Sequence, residues 1–162
     1  MAEIIVRPIE TNDNASIAAI IRTALTEFGA NKPGTVFFDD TTDHLFELFC
    51  NEPLSDYFIA LKNGVIVGGA GIYPTQGLPN KTCELVKMYL SKDVRGIGLG
   101  RKMIDHCLLI AKRKGFNQVY LETMSELKKA VAVYEQFGFD HLQAPMGNSG
   151  HNGCDIWMIK KV

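Results

Sequence analysis

Long apolar runs are absent from this sequence of 162 residues. A transmembrane helix needs about 20 consecutive apolar residues, and no stretch comes close to that length. The first eight residues also lack the basic start and the apolar core of a secretory signal peptide. We therefore predict a protein that is not exported and has no membrane partner.

An excess of charge of either sign is absent as well. Lysine and arginine together number 17, aspartate and glutamate together 18, and the formal net charge is -1. A protein that holds a nucleic-acid backbone normally presents a basic field. The composition therefore argues against nucleic acid as a partner.

Cysteine is sparse. The four residues Cys50, Cys83, Cys107 and Cys154 form no C-x-x-C pair, and no histidine lies at metal-ligand spacing from them. We interpret them as reduced, mostly buried thiols of a cytoplasmic protein and predict no metal. Repeats and linkers are absent too, so residues 1–162 are predicted to form one domain, whose core the 46% of hydrophobic residues can fill.

What is present is a regular pattern of apolar residues. Alternation predicts strands at 3–7, 57–61, 65–72, 83–90 and 118–122, with a closing strand around 156–158. Three- and four-residue spacing predicts helices that end near Gly29, Gly115 and Gly138, and a short helix at 43–49. The Asn63-Gly64 pair between two apolar runs predicts a hairpin. The sum is an α+β fold with a mixed sheet.

The segment Arg95–Arg101 carries three glycines at alternate positions between a predicted strand and a predicted helix. Without Cβ atoms in the way, backbone N–H groups can converge at a helix N-terminus, which favours phosphate. A Rossmann fingerprint is excluded because Arg101 and Met103 stand at the sixth position of the two G-x-G starts. A Walker A loop is excluded because no G-K-S/T occurs. A glycine-rich connection without a ligand remains the alternative.

The same segment fits the pattern R/Q-x-x-G-x-G/A, beginning at Arg95. The strand before it, Glu84–Leu90, and the sequence Tyr134–Phe139, which fits Y-x-x-x-G-F, agree in order and spacing. In these features the chain resembles the GCN5-related N-acetyltransferase (GNAT) superfamily. The resemblance is strongest over residues 83–139.

This resemblance implies a three-layer, α/β-type arrangement with about four helices. Its mixed, mostly antiparallel sheet of seven strands would be splayed between strands 4 and 5, with acetyl-CoA in the opening. A bulge near Met88 and Tyr89 would fit, because bulges free backbone donors beside active sites. The implied activity is acetyl transfer from acetyl-CoA to a primary amine of a small molecule or peptide, by direct attack in a ternary complex. A non-catalytic CoA-binding or regulatory module is the alternative, and the superfamily often forms homodimers.

The resemblance also assigns cofactor contacts. The Met88 N–H would face the thioester carbonyl, and the Leu90 backbone would pair with the pantetheine arm. The pyrophosphate would lie on the backbone of the glycine loop, whose two arginines either reach a phosphate or face solvent. The implied cofactor-binding residues are Met88, Tyr89, Leu90, Arg95, Gly96, Ile97, Gly98, Leu99, Gly100 and Arg101.

Two catalytic residues follow from the same resemblance. Tyr134 would donate a proton to the departing CoA thiolate, and its alternative is a core aromatic on an apolar helix stripe. Glu84 matches, by position, the general-base glutamate of the histone-acetylating branch, and its alternative is a solvated strand residue. Leu127 stands where many members carry an asparagine that contacts the cofactor.

The histidines His44, His106, His141 and His151 form no constellation with a serine or cysteine, so we expect them to be structural or at the surface. His44 is the exception, since the aspartates of the segment 39–43 beside it could hold a cationic amine, although acidic turns are commoner. Phosphoryl transfer is disfavoured because the P-loop lysine and paired magnesium carboxylates are missing.

Overall fold

The computed structural model of the protein describes residues 2–162. Its strands are β1 (Ile4–Pro8), β2 (Asp56–Lys62), β3 (Val65–Tyr73), β4 (Thr82–Leu90), β5 (Gln118–Thr123), β6 (Asp140–His141) and β7 (Ile156–Lys161). Its α-helices are α1 (Asn14–Glu27), α2 (Leu45–Cys50), α3 (Leu99–Arg113) and α4 (Lys128–Gln136). No helix within residues 2–162 is long and apolar enough to cross a membrane.

Within the described residues, seven strands form one sheet in the order β1-β2-β3-β4-β5-β7-β6. Neighbouring strands are antiparallel, except for β4 and β5, which are parallel. The predicted α+β fold with a mixed, mostly antiparallel seven-stranded sheet is confirmed. Strand β6 was not predicted, because two residues are too few for an alternating pattern.

The sheet opens between β4 and β5. These strands pair over three residues each, from Thr82 opposite Gln118 to Glu84 opposite Tyr120. Beyond that point β4 stays with β3 up to Leu90, whereas β5 stays with β7. The expected splay between strands 4 and 5 is therefore present, and it turns backbone and side chains of both strands toward one opening.

The hairpin between β2 and β3 follows the sequence signal. Asn63 and Gly64 both have positive φ, at 51° and 79°, and Lys62 lies opposite Val65. A two-residue turn in which both residues have positive φ has a backbone twist that matches the right-handed twist of the flanking strands. The predicted antiparallel pair is confirmed.

Helices cover both faces of the sheet. On one face, Met103 of α3 is buried together with Cys83 of β4. On the other face, Ile17 and Ile21 of α1 form a second core. Because successive strand residues point to opposite faces, Glu84 points away from Cys83.

Candidate active site

A β-bulge interrupts β4 beside the opening. Gly69 of β3 pairs with Tyr89 and Gly71 pairs with Val86, so β4 has one residue more than β3 over this stretch. Lys87 takes a φ of 51°, which is uncommon for a residue with a side chain. The bulge occupies positions 87 and 88, and neither position is paired with a residue of β3. It therefore includes Met88, whose N–H is the predicted thioester contact.

Tyr57 supports this bulge from beneath. Its ring is buried, and its hydroxyl donates a hydrogen bond of 2.7 Å to the carbonyl oxygen of Lys87. The neighbouring glycines make room for it, since a Cβ on Gly69 would lie 2.6 Å from the Tyr57 ring and one on Gly71 would lie 2.4 Å from the Asp56 carbonyl oxygen. The hydrogen bond therefore offsets part of the cost of the positive φ.

The Tyr57→Phe variant should lower the free energy of unfolding by about 1–2 kcal/mol, because it leaves a buried carbonyl without its donor. For the acetyl transfer that the resemblance implies, it should also lower kcat more than it raises the KM for acetyl-CoA, because the bulge contains Met88, whose N–H is the expected thioester contact. Urea denaturation and steady-state kinetics measure both effects. The matched control is Tyr73→Phe, since no hydrogen bond of the Tyr73 hydroxyl occurs within residues 2–162. Equal results for the two variants would contradict the assignment.

The glycine loop presents unpaired backbone donors. Within residues 2–162, none of the six N–H groups at positions 96–101 donates to another group of the protein. Gly96 and Gly98 have φ of 79° and 86°, and a Cβ on either would meet no atom within 4 Å. Gly98 is the N-cap residue of α3. Converging N–H groups with open space before them, at the positive end of a helix dipole, favour an anion.

One cavity of about 340 Å³ connects this loop with the opening between β4 and β5. Gly96, Gly98 and Gly100 line it at the loop, and Glu84 lines it at the point where the strands separate. The bulge and Tyr134 lie along the same cavity. A single space therefore joins an anion-binding loop to a buried carboxyl group.

Eight of the ten predicted cofactor-binding residues line this cavity: Met88, Tyr89, Leu90, Arg95, Gly96, Gly98, Gly100 and Arg101. The other two do not. Ile97 is 58% exposed at the tip of the loop, and Leu99 is buried in the core below it. Their side chains shape the loop, so a cofactor contact of either would come from its backbone.

The two loop arginines have protein partners. Arg95 donates to the carbonyl oxygen of Leu90 at 2.8 and 3.0 Å and to the carboxylate of Glu27 at 3.2 Å. Its guanidinium also lies 4.9 Å from the centre of the Phe28 ring. Arg101 donates to Gln136 at the surface. Arg95 therefore ties the loop to the end of β4 and to α1, while the N–H groups of the loop backbone remain without a protein acceptor.

Tyr134 is both a core aromatic and a residue of the cavity wall, so its place is compatible with either interpretation of its sequence. Its ring is buried and packs against Phe139 at 5.9 Å between centres, yet it also lines the cavity. Burial raises the pKa of its hydroxyl, so the group keeps its proton at neutral pH. A protonated hydroxyl beside the cavity is suited to donate a proton.

Glu84 is buried, which excludes the interpretation as a solvated strand residue. Burial raises the pKa of its carboxyl to about 7, against a smaller lowering by the hydrogen bond from Thr75. The Thr75 hydroxyl donates to Oε1 at 2.6 Å. Nearby Glu122 contributes to the upward shift. A carboxyl group with a pKa near 7 can take and release a proton at physiological pH.

Sequence reasoning missed a polar network next to Glu84. Nε2 of His151 lies 2.6 Å from Oδ2 of Asp39, and Nδ1 lies 3.9 Å from Oε1 of Glu122. Nζ of Lys87 lies 3.8 Å from Oδ2 of Asp39. Glu122 could have been noticed as the one charged residue of β5. The loop around His151 carries no pattern that predicts its position.

The segment beside His44 forms an acidic turn, the commoner of its two interpretations. His44 is exposed, and Asp43 beside it pairs with Arg22 at 2.6 Å. Of the neighbouring aspartates, Asp39 alone enters the network described above, and its partner is His151. Leu127, in place of the common asparagine, lines the cavity with an apolar side chain.

A splayed mixed sheet, a bulged central strand and an open glycine loop together define an acetyltransferase fold of the GNAT type. The chain belongs to the acetyltransferase (GNAT) family, whose family model matches residues 19–139. It is 36% identical over 160 residues to the uncharacterized N-acetyltransferase YjgM of Escherichia coli K12, covering 98% of this chain and 95% of that protein.

Solved structures share the whole architecture. A GNAT-family acetyltransferase from Staphylococcus aureus Mu50 matches with a TM-score of 0.86 at 18% identity, over 98% of this chain and 99% of that chain. The acetyltransferase YncA from Salmonella typhimurium, solved with its cofactor acetyl-CoA, matches with a TM-score of 0.76 at 21% identity, over 98% and 94%. At these identities the likeness concerns the fold.

Proposed function

We propose that this protein transfers the acetyl group of acetyl-CoA to a primary amine of a small molecule or peptide, by direct attack in a ternary complex. The observation that carries the proposal is the single cavity that runs from the unpaired N–H groups of residues 96–101 to the buried carboxyl group of Glu84. A relative named as an N-acetyltransferase and a structural neighbour with bound acetyl-CoA support it.

The donor end of the cavity would hold the cofactor by its backbone. The pyrophosphate accepts hydrogen bonds from the N–H groups of the glycine loop, at the start of α3. The pantetheine arm then follows β4 toward the bulge. There the N–H of Met88 donates to the thioester oxygen, where negative charge develops during attack; removal of such a donor typically costs about 3 kcal/mol.

The acceptor end would supply the proton transfers. A lysine-like ammonium has a pKa near 10.4, so it must lose a proton before attack, and Glu84 takes that proton. The amine nitrogen bonds to the carbonyl carbon, the C–S bond breaks, and the Tyr134 hydroxyl protonates the departing sulfur. The nitrogen loses its second proton to solvent as the amide forms, and solvent returns a proton to the Tyr134 oxygen. Glu84 releases its proton to water. The products are the amide, CoA thiol and one proton.

The proposed activity is tested by thiol release from acetyl-CoA over a panel of primary amines, together with the melting temperature in the presence of CoA. Ligand binding to the folded chain raises the melting temperature. Amine-dependent thiol release supports the transferase. A rise in melting temperature without thiol release would favour the non-catalytic CoA-binding module instead.

The Tyr134→Phe variant should lower kcat by about 10- to 100-fold, because the CoA thiolate then leaves without a positioned proton donor. The affinity for acetyl-CoA should change little, since the ring that lines the cavity is retained. Steady-state kinetics and calorimetric titration with CoA measure the two quantities. An unchanged kcat would remove the general-acid role from Tyr134.

A further inference from the structure

Two carboxyl groups face each other across the opening of the sheet. Glu84 comes from β4 and Glu122 from β5, and both lie on the same face, since Glu84 is opposite Tyr120 and Glu122 follows two residues later. Their side chains are nearly inaccessible to solvent, and both residues line the cavity. One carboxylate oxygen of each and one ring nitrogen of His151 lie within 4.8 Å of one another.

The two carboxyl groups are held differently. Glu122 accepts a hydrogen bond on each oxygen, from the Tyr120 hydroxyl at 2.6 Å and from the Ser149 hydroxyl. Glu84 accepts one on Oε1 from Thr75, and Oε2 has no hydrogen-bond partner within residues 2–162. Glu122 is therefore fixed in position, while Glu84 keeps a free oxygen toward the cavity.

The basic groups nearby are directed at a third carboxylate. Lys87 Nζ and His151 Nε2 both approach Asp39 Oδ2, at 3.8 and 2.6 Å. Toward Glu122 the nearest basic atom is His151 Nδ1, at 3.9 Å, and Glu84 has no ion pair within residues 2–162. The two buried carboxyl groups are therefore only partly neutralised by His151 and Lys87, which also serve Asp39, so a cationic ligand is favoured between them.

We propose that Glu122 binds the acceptor as its ammonium ion, between Glu122 on β5 and Glu84 on β4, so that the acceptors are alkylamines that bind as cations rather than arylamines. This inference rests on the proposed acetyl transfer. Glu122 holds two N–H groups of the ammonium in place, and the third proton passes to the free oxygen of Glu84. Pairs of carboxyl groups in different environments commonly divide such roles.

The substrate arm of the test compares benzylamine with 4-methylaniline at pH 8. The two amines are similar in size, but the first is an ammonium ion and the second is neutral at this pH. The wild-type protein should acetylate benzylamine with a kcat/KM at least 10-fold higher. If it acetylates both amines equally well, acetyl transfer stands and the ammonium subsite is overturned. If it acetylates no amine of a broad panel, the proposed function itself fails.

The variant arm uses Glu122→Gln, which keeps the shape and removes the charge. The KM for benzylamine should rise by about 10- to 100-fold, as for loss of a hydrogen bond to a charged group, and more than kcat falls. The ratio of kcat/KM for benzylamine to that for 4-methylaniline should fall in the same variant. The control Glu135→Gln removes an exposed carboxylate that pairs with His141 and should keep the wild-type preference. A preference unchanged by Glu122→Gln would overturn the inference.

A binding measurement separates the ligand from turnover. Calorimetric titration of the CoA-saturated protein with benzylamine should show binding. In Glu122→Gln the Kd for benzylamine should rise by the same factor as the KM. An unchanged rise of the melting temperature with CoA would show that this variant is folded. A titration of EDTA-treated protein with Zn²⁺ should show no stoichiometric binding. Tight Zn²⁺ binding that depends on Glu122 and blocks benzylamine would overturn the inference, because the cluster would then be a metal centre.

Discussion

The Glu84→Gln variant is expected to lose about 10²- to 10³-fold in kcat/KM for the amine, because it removes the carboxyl group that we propose takes the ammonium proton. The glutamine keeps the length of the side chain, and the cavity wall and the cofactor end of the site stay as they are. The KM for acetyl-CoA should therefore remain close to that of the wild-type protein. Thiol-release kinetics at pH 8, with saturating acetyl-CoA and a range of alkylamine concentrations, measure the loss.

The same variant is expected to be more stable than the wild-type protein above pH 7. Burial, as the main cause, raises the pKa of the Glu84 carboxyl from 4.5 to about 7. Below pH 4.5 the folded and unfolded chains both hold the proton. Between pH 4.5 and about 7 the unfolded chain releases it while the folded chain keeps it, so wild-type stability falls as pH rises. Above pH 7 the full cost of a buried charge remains.

The cost of the buried charge follows from the pKa shift of Glu84, since each pKa unit corresponds to about 1.4 kcal/mol. The shift from 4.5 to about 7 therefore sets an upper limit of about 3 kcal/mol. Urea denaturation at pH 4.5, 6 and 8 should show the advantage of Glu84→Gln growing over that range. Glu135→Gln, at an exposed position, should show no such growth. Retained activity in Glu84→Gln, or a constant stability difference with pH, would contradict the role of Glu84 as a buried base.

Local signals explain what could be predicted. The hairpin depends on the adjacent residues Asn63 and Gly64, and the anion-binding loop depends on seven consecutive residues that begin at Arg95. In both cases glycine backbone freedom and the neighbouring apolar pattern act over short distances in the chain. The position of Glu84 followed from its fixed distance to that loop in the family.

The acceptor end depends on contacts that no local pattern encodes. Asp39 and His151 meet at 2.6 Å although 112 residues separate them in sequence. Glu122 joins them only because β5 lies parallel to β4 and then diverges from it. The same limit applies to the contacts of Arg95, whose guanidinium binds the Leu90 carbonyl oxygen and the carboxylate of Glu27, which is 68 residues away in sequence.

The Gly98→Ala variant is expected to raise the KM for acetyl-CoA by about 100-fold. Gly98 has a φ of 86°, which costs an alanine about 1 kcal/mol or more, so the loop is expected to shift away from its present backbone. A Cβ on Gly98 would also enter the open space in front of the unpaired N–H groups. Hydrogen bonds to a charged ligand contribute about 1.5–3 kcal/mol each, so loss of one or two gives the expected factor.

Gly115→Ala separates backbone strain from cofactor binding. Gly115 has a φ of 93°, a Cβ there would also meet no atom within 4 Å, and it follows the other end of the same helix. Both variants should therefore lose similar stability in urea denaturation. At a CoA concentration about 10 times the wild-type Kd, the rise of the melting temperature should be almost lost in Gly98→Ala and persist in Gly115→Ala. The reason is that the N–H groups that favour an anion lie at the start of α3 alone. Equal CoA responses in the two variants would show that the loop is a connection between β4 and α3 without a ligand.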